Sequence, residues 1–402
     1  MTEEAGTGET PALEGGRPVR DSFLSFHRSI VGEEEIREVA DTLRSGWITT
    51  GPRTQRFEQA FAAHVGVGDA IGLNSCTAGI HLALIDAGVG PGDEVILPAV
   101  SFPSAANMVV RQGAKPVFAD VEVETLNLDV ERFREALSER TRAVIAVHFA
   151  GHPCDLDGIL AVAGERGLAV IEDCAHAMEA VYRGRRVGSL GDYGAFSFYA
   201  TKNMTTGEGG MLVTRHADRV ERLRVLSLHG ISRDAWKRYS PEGYQHWETL
   251  CPGFKYNMYD VQAAMGLHQM QRVETWREVR KRWTERYDEA FSGLEALTPL
   301  RRMRYADPAY HLYVVLLRLE RLRVDRDRVL DALQAENIGV GVHFRAVHLH
   351  PYYRAHVPTG CLPVAEWATD RMLSLPLYPA MGEGDLEDVV RAVRKVLNYY
   401  RT

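Results

Sequence analysis

The sequence predicts an α/β protein in which a large, mostly parallel sheet is covered by helices on both sides and joined to a smaller C-terminal α/β domain. Three observations predict it. Between about residues 70 and 215, short apolar runs alternate with longer helical patterns. Those runs are apolar on both faces, as strands buried from both sides must be. Beyond residue 257 the pattern changes to one long helical stretch, followed by a second and shorter set of strands and helices.

Taken in order, the opening "MTEEAGTGETPALEGGRPVR" is acidic and rich in Gly and Pro, with neither a positive start nor an apolar centre. Residues 1–22 are therefore expected to form a flexible tail, not a signal peptide or membrane anchor. Residues 23–279 are expected to form the large domain. Its strands are read in "DEVILPAVSF", "AKPVFADVE", "RAVIAVHFAG", "LAVIEDCAHA", "GAFSFYATK" and "GGMLVT", and its covering helices in "LDGILAVAGERG" and "VERFREALSE". The stretch "NMYDVQAAMGLHQMQRVETWREVRKRWTERYDEAFSGL" lacks proline and keeps apolar residues near helical spacing, so one long helix crossing between the domains is expected. Residues 280–402 read as the smaller domain: strand "HLYVVLLRL", helix "RDRVLDALQAENI", strand "GVGVHF", and helices "PVAEWATDRMLS" and "DLEDVVRAVRKVLNYY". There is no internal repeat.

Composition excludes several classes. The chain has 402 residues, 45% of them hydrophobic, which is ample material for a large core. With 47 basic against 54 acidic residues the formal charge is -7, and no Lys/Arg stripe tracks a phosphate backbone, so nucleic acid is not an expected partner. The basic cluster "WREVRKRW" reads as a solvated helix face. No apolar run approaches the roughly 20 residues that span a bilayer. The five cysteines (Cys76, Cys154, Cys174, Cys251, Cys361) show no C-x-x-C spacing, so a reduced, cytoplasmic protein is expected.

Three features carry chemistry when weighed together. In "GLNSCTAGIHLALIDAGV" a polar turn enters an apolar helix, and the unpaired N–H groups of such a helix start, at Ser75, Cys76, Thr77 and Ala78, suit a phosphate; alone, it reads more simply as an ordinary N-cap by Asn74, Ser75 or Thr77. In "AVIEDCAHA" an apolar strand ends in Glu172, Asp173 and His176, at the kind of strand end where open α/β sheets bind ligands. In "FSFYATKNMTTGEGG" a single lysine, Lys202, follows an aromatic strand and precedes glycines that let backbone approach a ligand. A lone lysine in a turn is ordinarily a solvated charge. A phosphate cradle, a strand-end acid and a lysine 29 residues later together specify pyridoxal 5'-phosphate: the phosphate anchors, the acid keeps the ring nitrogen protonated, and the lysine holds the aldehyde.

The segments "NSCTAGIHLAL", "VSFPSAANMV", "IEDCAHA", "SFYATKNMTTGEGG", "CPGFKYNMYDVQAAMG", "VGVHF" and "LSLPLYPAM", in that order, resemble the DegT/DnrJ/EryC1/StrS family of sugar aminotransferases, from about residue 25 to the C-terminus. The resemblance implies a fold type I pyridoxal phosphate enzyme, with a mixed, mostly parallel seven-stranded sheet in the large domain. It makes Lys202 the Schiff-base lysine and proton carrier, Asp173 the partner of the pyridine nitrogen, and His176 a contact on the ring hydroxyl side. Ser197 would bond the phosphate, joined by backbone amides around Cys76 and Thr77. Phe102 would stack on the ring face, although simple core packing would also account for it.

The resemblance further implies a homodimer with shared sites, the "GFKYN" segment crossing from the partner with Asn257 on the phosphate and Lys255 as a substrate contact. Thr49, in "GWITTGP", would meet substrate, although the turn's Gly and Pro also serve simply to shape it. His343 and Arg345 would contact the sugar or its diphosphate. His348 and His350 sit at a same-face strand spacing that a metal could use, but no Cys or carboxylate pattern completes a metal site. The expected reaction moves an amino group from glutamate or glutamine to a keto sugar, a nucleotide-linked 4-keto-6-deoxyhexose above all, with a 3-keto sugar or keto-cyclitol as alternatives. A dehydratase relative would carry His in place of Lys202. A cofactor-binding sensor without turnover would need a further segment that the sequence lacks.

Overall fold

The computed structural model describes residues 9–232 and 247–402. The strands, in chain order, are β1 (Ala70–Leu73), β2 (Glu94–Pro98), β3 (Lys115–Ala119), β4 (Thr141–Val147), β5 (Ala169–Asp173), β6 (Val181–Tyr182), β7 (Arg185–Arg186), β8 (Tyr193–Ser197), β9 (Gly210–Thr214), β10 (Leu297–Pro299), β11 (Ala306–Asp307), β12 (Tyr313–Leu317) and β13 (Met372–Leu375). Seven of them form one sheet in the order β1-β9-β8-β5-β4-β2-β3. The pairs β2–β3, β2–β4, β4–β5 and β5–β8 are parallel, and β9 runs antiparallel to both of its neighbours.

The sheet is buried on both faces, as its two-sided apolar strands require. Along β4, Ala143, Ile145 and Val147 pack into one apolar cluster while Val144 and Ala146 pack into another. β10, β12 and β13 make a separate antiparallel sheet. Here too the period-2 alternation divides the side chains. Val314 and Leu316 join the core of the large sheet, whereas Tyr313, Val315 and Leu317 join a third cluster with the C-terminal helix Glu383–Tyr400.

Several expectations are corrected. The long helical stretch is two helices, Asp260–Met270 and Val273–Phe291, parted at Gln271 and Arg272. Neither glycine nor proline marks the break; it lets the second helix turn toward another core, where Trp283, Tyr287 and Phe291 are buried. That helix spans the expected domain boundary. The "WREVRKRW" cluster is not wholly solvated, since Arg277 and Arg280 are buried along it. "GVGVHF" forms no ladder and makes only an isolated bridge from Gly341 to Ser374. In "PVAEWATDRMLS" the helix ends at Thr369 and β13 begins at Met372. "VERFREALSE" is helical only over Val130–Glu135. Of the expected flexible tail, residues 9–22 are pinned: Glu336 accepts the amides of Ala12 and Val19 at 2.8 and 2.7 Å, and Arg20 pairs with Asp385 and Asp388. Among the described residues no helix is long and apolar enough to cross a membrane.

Candidate active site

The carboxyl ends of three adjacent parallel strands, β4, β5 and β8, terminate in Val147, Asp173 and Ser197. All three line one cavity of about 430 Å³, within the range that small-molecule sites occupy. Because successive strand residues face opposite sides, Asp173 opens on the cavity while Glu172 points behind it. Glu172 accepts the amides of Gly188, Leu190 and Gly191 at 2.6–2.9 Å and meets His148 Nε2 at 3.0 Å. With Cys174, Glu172 and His148 make a close buried cluster of metal-ligand types. Glu172 is fully occupied by these bonds and His148 Nδ1 by the Cys154 amide, so the cluster serves to fix the loop beyond β5.

The helix Cys76–Asp86 starts at the same cavity. Ser75 is its N-cap, its hydroxyl accepting the Ala78 amide at 3.1 Å. Ala78 is thereby removed from the expected anion donors, and the cap reading and the phosphate reading divide the helix start between them. The amides of Cys76 and Thr77 stand in the first turn, where no intrahelical acceptor exists. Gly210, the first residue of β9, faces this turn. A Cβ there would collide with the backbone of Ser75 and Cys76.

Lys202 is half-buried on the cavity wall, with Phe102, His176 and His343 also lining it. Phe102 is 59% exposed, so it is not a core residue; its ring meets Phe344 edge to face at 5.8 Å. His343 stacks on Phe26 and its Nδ1 meets the Ser374 hydroxyl at 2.9 Å. The expected site residues that do not reach the cavity are Thr49, Lys255, Asn257 and Arg345. Thr49 and Arg345 are exposed. Asn257 lies at the sheet edge beyond β1, bridged to Leu73, and its Nδ2 donates to Thr50 Oγ1 at 2.7 Å while its Oδ1 accepts from Lys255 Nζ at 2.6 Å. His348 is buried against Phe118 and faces Glu366 at 3.4 Å, away from the cavity. Sequence reasoning missed Phe26, His311 and Phe344. Phe344 adjoins a flagged histidine, but nothing in the spacing of "AYHLYVVLL" marks His311.

Burial governs the charges. It raises the Asp173 carboxyl from its ordinary value, opposed by the Ala175 amide and by Lys202. It lowers the Lys202 ammonium, opposed by Asp173 and Cys76, and so brings the neutral amine closer. It holds the Cys76 thiol protonated and keeps His176 neutral, the latter aided by Lys202.

These residues fit pyridoxal phosphate. The Asp173 hydrogen bonds, from Cys76 Sγ at 3.8 Å and the Ala175 amide at 3.0 Å, both fall on Oδ1, which leaves Oδ2 for a cationic ring nitrogen. His176 Nδ1 is buried without a partner. The open helix start provides for an anion.

Residues 29–394 match the DegT/DnrJ/EryC1/StrS aminotransferase family. The chain is 47% identical over 381 residues to the spore coat polysaccharide biosynthesis protein SpsC of Bacillus subtilis, covering 94% of this chain and 98% of SpsC. Among solved structures, the aminotransferase TlmJ from Streptoalloteichus hindustanus superposes with a TM-score of 0.87 at 35% identity, over 94% of this chain and 99% of TlmJ. The PLP-form of Spr1654 from Streptococcus pneumoniae superposes with a TM-score of 0.88 at 30% identity, over 94% and 100%.

Proposed function

The chain belongs to the DegT/DnrJ/EryC1/StrS aminotransferase family, a fold type I, pyridoxal phosphate-dependent group, and from that premise we propose that it transfers an amino group from glutamate or glutamine to a nucleotide-linked 4-keto-6-deoxyhexose. The observation that carries this reading is the convergence of Lys202, Asp173 and the Cys76 helix start on one cavity. The likeness to a spore coat polysaccharide protein supports a place in surface-glycan synthesis.

When bound, pyridoxal phosphate supplies the aldehyde that takes the amine and the ring that accepts the electron pair. The chain's residues do the rest. Asp173, through Oδ2, would hold the proton of the ring nitrogen. The Cys76 and Thr77 amides and the Ser197 hydroxyl hold the phosphate. Lys202 would carry the proton, and its lowered pKa keeps the neutral form within reach. Phe102 would pack against the ring and limit water. Asn257, from a second subunit, completes the phosphate site in the proposed homodimer.

The test has two parts. Lys202→Ala is expected to abolish both turnover and the visible band of the bound cofactor; a variant that keeps both shows the lysine misassigned. Incubation with glutamate and a panel of 3-keto and 4-keto nucleotide sugars, followed by NMR of the product, locates the new amine. Amination at C3 overturns the 4-keto reading. Failure of any amino donor to yield its keto acid overturns turnover itself.

A further inference from the structure

A chain of buried polar groups runs from the third core to the lysine loop. Arg280, about 1% exposed, donates through NH2 to Glu179 Oε1 at 2.6 Å and to the Ala309 carbonyl at 3.2 Å. The other Glu179 oxygen accepts from Asn203 Nδ2 at 2.7 Å. Asn203, the residue after Lys202, meets His311 Nδ1 through its Oδ1, also at 2.7 Å. The His311 ring then packs against His176 with centroids 4.4 Å apart. The backbone of His311 is fixed as well, its amide donating to the Ala150 carbonyl at 3.2 Å.

The polarity of this chain is determined at every link. A carboxylate only accepts, so the Asn203 amide must turn its NH2 to Glu179 and its oxygen to His311. An amide oxygen also only accepts, so His311 carries its proton on Nδ1 and keeps a lone pair on Nε2. The ring lines the same two cavities as Lys202. We propose that His311 is a positioning residue for Lys202, locked by the Arg280–Glu179–Asn203 chain as a neutral imidazole whose Nε2 accepts from the lysine nitrogen. Asn203 thus ties the loop that carries the lysine to the ring that serves it.

The charged and titratable groups around His311 are His176, Lys202, His27 and Arg280, and with burial all of them disfavour its protonation. A lone pair facing a protonated nitrogen stabilises that proton. Removing it should let the lysine nitrogen lose its proton at lower pH.

The experiment is a pH titration of the visible absorption of the cofactor-loaded protein. His311→Asn retains an N–H donor for Asn203 but has no Nε2. Its midpoint is expected to fall by about one pH unit relative to the unsubstituted protein. Asn203→Ala, which leaves both Lys202 and His311 in place but frees the ring, is expected to move it the same way. A midpoint unchanged in His311→Asn overturns the proposal, and where that variant does not fold, an unchanged midpoint in Asn203→Ala does so. The proposal rests on Lys202 being the cofactor's lysine, and the two fail separately. A band that survives Lys202→Ala defeats that assignment, whereas a lysine-dependent band insensitive to His311→Asn defeats only the role of His311.

Discussion

Asn257 donates to the hydroxyl of Thr50 at 2.7 Å, and this pair stands outside the cavity that holds Lys202. A side chain placed there does not reach its own chain's cavity, and in the proposed homodimer it would serve the neighbouring chain's site. Inactive Lys202→Ala and Asn257→Ala proteins, when mixed and allowed to exchange subunits, are therefore expected to regain up to about a quarter of the activity, the share of sites a random exchange leaves with both residues intact. Verified hybrids with no regained activity would count against Asn257 acting across the interface.

Asp173→Asn is expected to separate stability from activity. Burial raises the Asp173 pKa above its unfolded value near 3.8, so the stability tied to its proton is present below that pH and lost as pH rises through the folded value. At pH 7 the cofactor-free Asn variant is expected to melt a few °C above the unsubstituted protein, a gain that shrinks toward acid pH. Turnover should fall by at least about a hundredfold. A lower melting temperature across the whole range would show that the carboxylate stabilises the fold.

Gly210→Ala tests the helix start. The added methyl collides with the Ser75–Cys76 backbone, which is main chain and cannot swing aside. A cost of about 1–3 kcal/mol in unfolding free energy is expected, with cofactor affinity reduced more than tenfold because the displaced amides are those proposed to hold the phosphate. Equilibrium binding of pyridoxal phosphate, read by absorbance, checks it, and unchanged affinity counts against these amides.

Acid should destabilise the protein earlier than its carboxylates alone would. Burial holds His27, His152 and His343 down to about 4, against 6.5 when unfolded. The unfolded chain binds more protons between those values, so stability is lost as pH falls through 6.5 toward 4, by up to about 1.4 kcal/mol per pH unit for each such histidine. Chemical denaturation between pH 7 and 5 measures the slope. His152→Gln is expected to flatten it, and an unaltered slope would show that His152 is not neutral in the fold.

What was legible in the sequence follows from what each signal depends on. Strands buried on both faces need continuous apolar runs, so β2 to β5, β8 and β9 stand out, and with them the strand-end positions of Asp173 and Ser197. Lys202 was legible only jointly with those two features. β1 was harder to see because it is four residues long and includes Gly72. The break at Gln271 and Arg272 has no local mark; it is imposed by which core the second helix joins. "GVGVHF" alternates like a strand, yet it makes a single bridge, to Ser374 of β13, while His343 and Phe344 face the cavity, and periodicity does not distinguish the two. The network behind His311 joins residues 179, 203, 280 and 311, four separate stretches that only the folded chain assembles.

The divided loyalty of β12 has a mechanical consequence. With Val314 and Leu316 seated in the core of the large sheet and Tyr313, Val315 and Leu317 in the other, the strand works as a tie beam between the two bodies of the protein. Swinging one body against the other would expose both sets of side chains at once, so hinge closure is a costly way to grip a substrate. A site held this way meets its sugar in a mould already cast, with the rings of Phe26, Phe102 and Phe344 in its wall.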